Sequence, residues 1–296
     1  RLPHRDLGAP LPRHHDRASV TAGRAAAVLH LRAHLRRRAE PPEDAPARRH
    51  ARRLVNTVPI HRETDHRQDD DTHDGQHRCE VCRQLLVLDG GSTDGTREIV
   101  DNYGGVVRLI DNPRVTAAGA MNRGIEVASG EIIVRADAHT IYAADYVRRC
   151  VDLLLESGAD NVGGPMRAVG KTDFGRAVAA VTSSPFGVGP GRFHYSRRRE
   201  EVDTVYLGCW RIETLQALGG WDDENLQWAA EDQELNLRIR QRGGRVLLDP
   251  DITSWYSPRD NPRALAKQYR NYGICKVSTL VKHHTLPSWR PLAPAM

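Results

Sequence analysis

The chain has 296 residues, 39% hydrophobic and 27% charged, a balance that fits a globular protein with a sizeable core. It has no apolar run of roughly 18 residues, which excludes a spanning helix in the sequence as given. The net charge of +5 sits entirely in residues 1–84, which hold 17 Arg, no Lys and 12 acidic residues. The remainder is neutral and shows no electrostatic footprint for DNA or RNA.

Residues 1–84 read differently from the rest. They carry 10 of the 14 His, with clusters such as His14-His15 and Arg36-Arg37-Arg38 and an acidic run Asp69-Asp70-Asp71. Apolar periodicity is nearly absent, and Ala25 to Arg38 is the best helical candidate. The segment is expected to be largely disordered, because it offers too little apolar surface to offset its ordering entropy. Arg/His/Pro/Ala-rich text is also what a GC-rich gene yields out of frame, and sequencing across the junction tests that origin. No apolar signal-peptide core follows Arg1. The five cysteines, Cys79, Cys82, Cys150, Cys209 and Cys275, are odd in number and scattered, which argues against a disulfide framework.

From Leu85 the pattern becomes regular. Leu85 to Leu88 is a short apolar strand ending at Asp89 and the turn Gly90-Gly91-Ser92. A helix over Thr96 to Tyr103, a strand over Val106 to Ile110 and a helix over Ala117 to Ala128 follow. A third strand, Ile132 to Val134, runs into Arg135-Ala-Asp137-Ala-His139, and a helix spans Ala144 to Glu156. This alternation predicts an α/β fold, a mostly parallel sheet flanked by helices. Phe186 to Arg199 reads as a long loop, Leu226 to Gln241 as a helix, Arg245 to Leu248 as a strand and Ala264 to Tyr272 as a short helix. The expected domains are 1–84 with no clear fold, a catalytic domain over 85–275 and a tail over 276–296.

Three acidic sites fall at strand ends or a helix start, where open α/β sheets bind ligands. Asp89 suits hydrogen bonds from a base or ribose, or serves as an Asp-Gly turn. Asp137 and His139, two residues apart, suit Mg²⁺ or Mn²⁺ on a diphosphate, with helix capping as the alternative for Asp137. One of Glu231 and Asp232 suits a general base, and acids are also favoured at a helix N-terminus on electrostatic grounds.

Taken together these residues carry a resemblance. Asp89-Gly-Gly-Ser92-Thr-Asp94-Gly-Thr resembles the nucleotide-binding motif of family 2 glycosyltransferases, whose fold is the Rossmann-like GT-A. Asn122-Arg-Gly124 and Ser129-Gly-Glu131 resemble the stretch before the metal motif. Asp137-Ala-His139 stands where the family has Asp-x-Asp. Leu218-Gly-Gly-Trp221-Asp222 and Glu231-Asp232-x-Glu-Leu resemble the acceptor segment and base motif. The closest likeness is to succinoglycan-type exopolysaccharide glucosyltransferases.

The resemblance implies inverting transfer of a hexose from a UDP-sugar to a saccharide or lipid-linked acceptor. Asp232 would be the base and Glu231 its orienting partner. Asp89, Ser92, Asp94, Asn122, Arg135 and Asp137 would bind the nucleotide sugar. Asp137 and His139 would hold Mg²⁺ or Mn²⁺. Arg135 or Arg238 would add positive charge near the leaving group, or serve as a structural ion-pair partner. It also implies work at the cytoplasmic face of a membrane, peripheral or anchored, with a hydrophobic continuation past the C-terminus.

The family's first strand, with its Asn-Glu loop, is not recognisable in residues 1–84. The first strand is therefore expected to be missing or degenerate, and turnover weak or absent. Gln268-Tyr-Arg-Asn-Tyr272 replaces the Gln-x-x-Arg-Trp of processive members. A zinc knuckle of His73, His77, Cys79 and Cys82 is disfavoured, because one residue between His77 and Cys79 closes a tetrahedron poorly. No Phe, Tyr or Trp precedes Tyr103, so base stacking is unsupported in the Arg-rich segment. A nucleotidyltransferase is the nearest enzymatic rival and lacks its basic, Gly-rich phosphate loop here.

Overall fold

The computed structural model describes residues 25–31, 82–103, 107–189, 191–227 and 229–284. Its described elements are eleven strands and eight α-helices. The order opens β1 (Ala25–Leu31), β2 (Cys82–Asp89), α1 (Thr96–Asp101), β3 (Val107–Asp111), α2 (Ala117–Val127), β4 (Ile132–Asp137), β5 (Thr140–Tyr142) and α3 (Tyr146–Ser157). It continues with β6 (Asn161–Gly164), β7 (Met166–Ala168), α4 (Asp173–Thr182), α5 (Pro185–Val188) and β8 (Glu200–Glu201). The last elements are β9 (Tyr206–Arg211), α6 (Ile212–Leu218), α7 (Glu231–Gln241), β10 (Val246–Leu248), β11 (Ser254–Tyr256) and α8 (Pro262–His283).

An eight-stranded sheet runs β3-β2-β1-β4-β9-β6-β10-β8, and a three-stranded sheet runs β5-β11-β7. Strands β1 to β4 are mutually parallel, whereas β9 is antiparallel to both β4 and β6. The expected α/β sheet is present, with its parallel half at the β3 side.

The first strand is present, which corrects the expectation that it is missing, and the described part of the helical candidate, Ala25–Leu31, is strand. Ala25–Leu31 pairs with β2 on one side and β4 on the other. A strand paired along both edges satisfies most of its backbone, and the apolar stretch Ala25 to Leu29 suits that central place better than it suits an isolated helix. The rest of 1–84, up to Val81, lies outside the described residues, as do the zinc-knuckle His73, His77 and Cys79.

Two further boundaries move. The helix expected from Leu226 begins only at Glu231, because Ala230 sits in the left-handed region at φ 64° and cannot belong to the helix. The helix expected over Ala264 to Tyr272 runs from Pro262 to His283. Asn261 caps it by accepting from the Ala264 N–H at 2.8 Å, with Pro262 at its first position. The stretch read as a loop over Phe186 to Arg199 contains most of α5 and a 3₁₀ turn, Arg192–His194.

Side chains cover both sheet faces. On one face α3 packs Tyr146, Val147, Cys150 and Leu154 against Leu85, Val87, Val134 and Cys209. On the other, Met121 of α2, Leu215 of α6 and Leu235 and Ile239 of α7 pack with Leu86, Leu88, Ile133 and Trp210. The register then sets the site. Leu31 of β1 pairs with Asp89, and His30 pairs with Asp137. Asp89 and Asp137 thus flank the carboxyl end of the central strand, on either side of the point where the strand order reverses.

Candidate active site

Arg135 is the hub of the site. It is buried on β4, with 5% of its side chain exposed, and meets three carboxylates. Nε and Nη2 donate to the two oxygens of Asp137 at 2.9 and 3.2 Å. Nη1 donates to Asp232 Oδ1 at 2.6 Å, and Nη2 also donates to Glu231 Oε1 at 3.2 Å. One guanidinium faces three acids, so the cluster carries a surplus of negative charge where the parallel strands end.

Asp232 is held asymmetrically. Its Oδ1 also accepts from the Trp221 indole N–H at 3.0 Å. Its Oδ2 receives no hydrogen bond from the described residues, and 20% of the side chain is exposed. Burial pushes the carboxyl up to about 7 against the pull of Arg135, with Glu231 adding to the rise. A carboxylate with one oxygen anchored, one open and a pKa near neutrality can accept a proton at physiological pH.

The strand-end acid is fixed just as firmly. The Asp137 backbone N–H donates to the Tyr142 hydroxyl at 2.5 Å, and that hydroxyl donates to the Asp137 carbonyl at 3.1 Å. His139 lies beside it with Nδ1 3.3 Å from the Thr140 hydroxyl and its ring edge-on to Tyr256. Among the described residues no group of three or more His, Cys, Asp or Glu side chains is placed to hold a metal ion.

The other expected contact residues are engaged within the protein. Asp89 is buried and accepts from the Gly91 and Ser92 N–H groups, the Ser92 hydroxyl and Arg97. These bonds close the Gly-rich turn that follows β2. Asp94 accepts from the Thr96 N–H and hydroxyl at 3.2 and 2.7 Å at the start of α1. Asn122 grips the backbone of Trp221. Arg238 is structural: it pairs with Glu234 and donates to the carbonyls of Leu218 and Gly220.

Trp221 and Tyr142 were not singled out from sequence. The signal for Trp221 was its Gly-Gly-Trp-Asp context. For Tyr142 there was none, since its partner is a backbone group five residues away. Gly220 shows why that context is glycine-rich. It has φ 74°, and a Cβ there would lie 2.4 Å from Asn122 Oδ1. Gly220→Ala is expected to lower stability by at least about 1–2 kcal/mol in a denaturant titration. An unchanged midpoint would remove this account of the turn.

Residues 79–210 match the family described as Glycosyl transferase family 2. The succinoglycan biosynthesis protein ExoA of Rhizobium meliloti is 32% identical over 216 residues, 71% of this chain and 65% of that protein. The chain belongs to glycosyltransferase family 2. It spans just under two thirds of the ExoA length. Among solved structures, the mannosyltransferase PcManGT from Pyrobaculum calidifontis, in complex with GDP-Man and Mn²⁺, superposes with a TM-score of 0.60 at 16% identity. That match covers 93% of this chain and 69% of PcManGT. S. aureus TarS 1–349 with UDP-GlcNAc gives a TM-score of 0.54 at 14% identity, covering 87% of this chain and 66% of TarS. These likenesses establish the GT-A fold.

Proposed function

We propose that this protein transfers a hexose from a UDP-sugar to a saccharide or lipid-linked acceptor, with inversion, in exopolysaccharide or cell-surface glycan synthesis. The observation that carries the reading is Asp232, anchored through Oδ1 and open at Oδ2, beside the strand-end acid Asp137. Asp232 Oδ2 takes the proton of the acceptor hydroxyl as its oxygen attacks the anomeric carbon. The bond from that carbon to the diphosphate breaks on the opposite face, and a single displacement inverts the configuration. Arg135 keeps Asp232 and Glu231 in place, and Glu231 orients the acceptor.

A divalent cation fits the residues present. Asp137 offers two carboxylate oxygens, each accepting from Arg135, and a carboxylate oxygen carries more than one acceptor site. A carboxylate with a neighbouring imidazole is a donor set for Mg²⁺ or Mn²⁺, whose remaining positions substrate phosphates and waters fill. When bound there, the cation would neutralise charge on the departing diphosphate. PcManGT was solved with Mn²⁺ and a sugar nucleotide, and TarS with UDP-GlcNAc, which supports both partners. Chelation is expected to abolish turnover and added Mn²⁺ to restore it. His139→Ala should raise the Mn²⁺ needed for half-maximal rate about tenfold, and an unchanged requirement would remove His139 from the metal site.

The deciding experiment feeds UDP-glucose and Mn²⁺ and follows UDP release together with the product's anomeric configuration. UDP release with inversion supports the reading. Pyrophosphate release would instead support the nucleotidyltransferase alternative. No described helix is long and apolar enough to cross a membrane. Helix α8 nonetheless supports placement at a membrane surface. It carries Arg263, Lys267, Arg270, Lys276 and Lys282 with no acid, and exposes Tyr269, Ile274, Val277 and Val281. Co-sedimentation with phosphatidylglycerol vesicles, lost when Ile274, Val277 and Val281 become Ser, is the expected result. Equal sedimentation of both proteins would discard this face.

A further inference from the structure

Asn122 and Trp221 are 99 positions apart, yet the Asn122 amide binds both backbone groups of Trp221. The Trp221 N–H donates to Asn122 Oδ1 at 2.8 Å, and Asn122 Nδ2 donates to the Trp221 carbonyl at 2.9 Å. Asn122 is itself immobilised, because its helix neighbours Ala118, Ala120 and Met121 are fully packed. From the other side Arg238 holds the carbonyls of Leu218 and Gly220, so the turn is clamped at both ends. The indole ring is buried and packs edge-on against Trp210, with ring centres 5.2 Å apart. With backbone and ring both fixed, the direction of the indole N–H is fixed, and it points at Asp232 Oδ1.

We propose that Asn122 is a positioning residue for the base: it acts through Trp221, whose indole N–H fixes Asp232 Oδ1 and leaves Oδ2 facing the acceptor. The inference rests on Asp232 being the base. It assigns Asn122 a role other than the donor contact that its motif suggests. The groups that act most strongly on Asp232 are Arg135, Glu231, Trp221 and Asp137. Arg135, Glu231 and Asp137 are charged and bound together. Trp221 alone is neutral, and it reaches Asp232 from a different segment. Its N–H favours the ionised carboxylate, so losing it raises the carboxyl's affinity for a proton.

Trp221→Phe keeps a ring and removes the N–H, whereas Asn122→Ala removes the clamp. Each is expected to lower kcat about tenfold and to move the acidic limb of the rate profile to higher pH. UDP binding with Mn²⁺, measured by calorimetry, should stay within about twofold. In the double variant the effects should not multiply, because both act on one link. A roughly tenfold loss of UDP affinity in Asn122→Ala with an unmoved pH limb would overturn the proposal, as would multiplicative effects. If Asn122→Ala fails to fold, Asn122→Asp retains the acceptor for the Trp221 N–H and is tested for the same pattern. The Trp221 indole N–H resonance reads the link without turnover. Its pH titration should follow Asp232 and vanish in Asn122→Ala, and a titration that persists unchanged refutes the role. Absence of any sugar-nucleotide turnover by the wild type would defeat the transferase reading and leave this resonance test standing.

Discussion

Asp232→Asn is expected to lower kcat by about a thousandfold while leaving UDP affinity within a factor of about three. The magnitude is that of losing a general base, roughly 10² to 10⁴ in rate. Asparagine fills the same volume and still accepts from Arg135 Nη1 and the Trp221 indole, so the donor pocket should persist. The pH dependence has a definite sign. Burial, opposed by Arg135, places the folded-state pKa at about 7. Below that value the base is protonated, and kcat/KM should fall about tenfold per pH unit. Because Asp232, Glu231 and Asp137 share Arg135, the limb reports the cluster as a unit. Stability runs the other way. The folded pKa lies above the unfolded value near 3.9, so folding favours the protonated form, and stability is lost as pH rises from about 4 towards 7. Asp232→Asn should therefore melt higher than wild type at pH 8 and alike at pH 4. A variant retaining more than about a tenth of wild-type kcat would exclude Asp232 as the base.

The parallel half of the sheet was readable where apolar runs end in an acid, because a buried strand followed by a polar loop needs no distant information. Leu85 to Leu88 and Ile132 to Val134 were placed that way and extend by only a few residues in the structure. Ala25–Leu31 was misread because its flanks are rich in Arg and its alanines favour a helix locally. What makes it a strand is pairing with β2 and β4, both of them more than 50 residues on. The three-residue strands β5, β7 and β11 fell below any periodicity signal, since each is defined by its partners. The site was legible as a set of residues but less so as a set of roles. Asp89, Ser92 and Asn122 look like ligand contacts because polar residues in Gly-rich turns and near strand ends often are. Their hydrogen bonds within the protein join Ser92 to Asp89 and Asn122 to the Trp221 backbone, and the second link depends on how distant segments meet, which has no signature in the motif itself. Arg135 was undecidable between leaving-group contact and ion-pair partner. Its partners Glu231 and Asp232 lie 96 and 97 residues away, a distance no motif spacing conveys.

Glu234 is the position where one substitution should cost most stability. It is fully buried on α7 and ties that helix to α8. Arg238 donates to both its oxygens, and Lys282 and His283 from the last turn of α8 each reach Oε1 at 2.8 Å. Burial alone would raise its pKa, but the pairing with Arg238 and Lys282 holds it below the ordinary carboxylate range. Glu234→Ala would strand the Arg238 guanidinium without its carboxylate and release Lys282 to Asp222 alone. Breaking a buried pair from one side costs about 3–5 kcal/mol, or a fall of roughly 10 °C in Tm for a domain of this size. The loss should also reach catalysis, since Arg238 is what holds the Leu218 and Gly220 carbonyls behind Trp221. The depressed pKa makes the sign explicit. The stabilisation is present above the unfolded value near 4.3 and disappears as pH falls through the lower folded value. The gap between wild type and variant should be constant from pH 6 to 8 and close below about pH 4. A Tm difference under about 2 °C at pH 7 would mean that the α7–α8 junction is held by apolar packing, and that the end of α8 is not tied to the turn that carries Trp221.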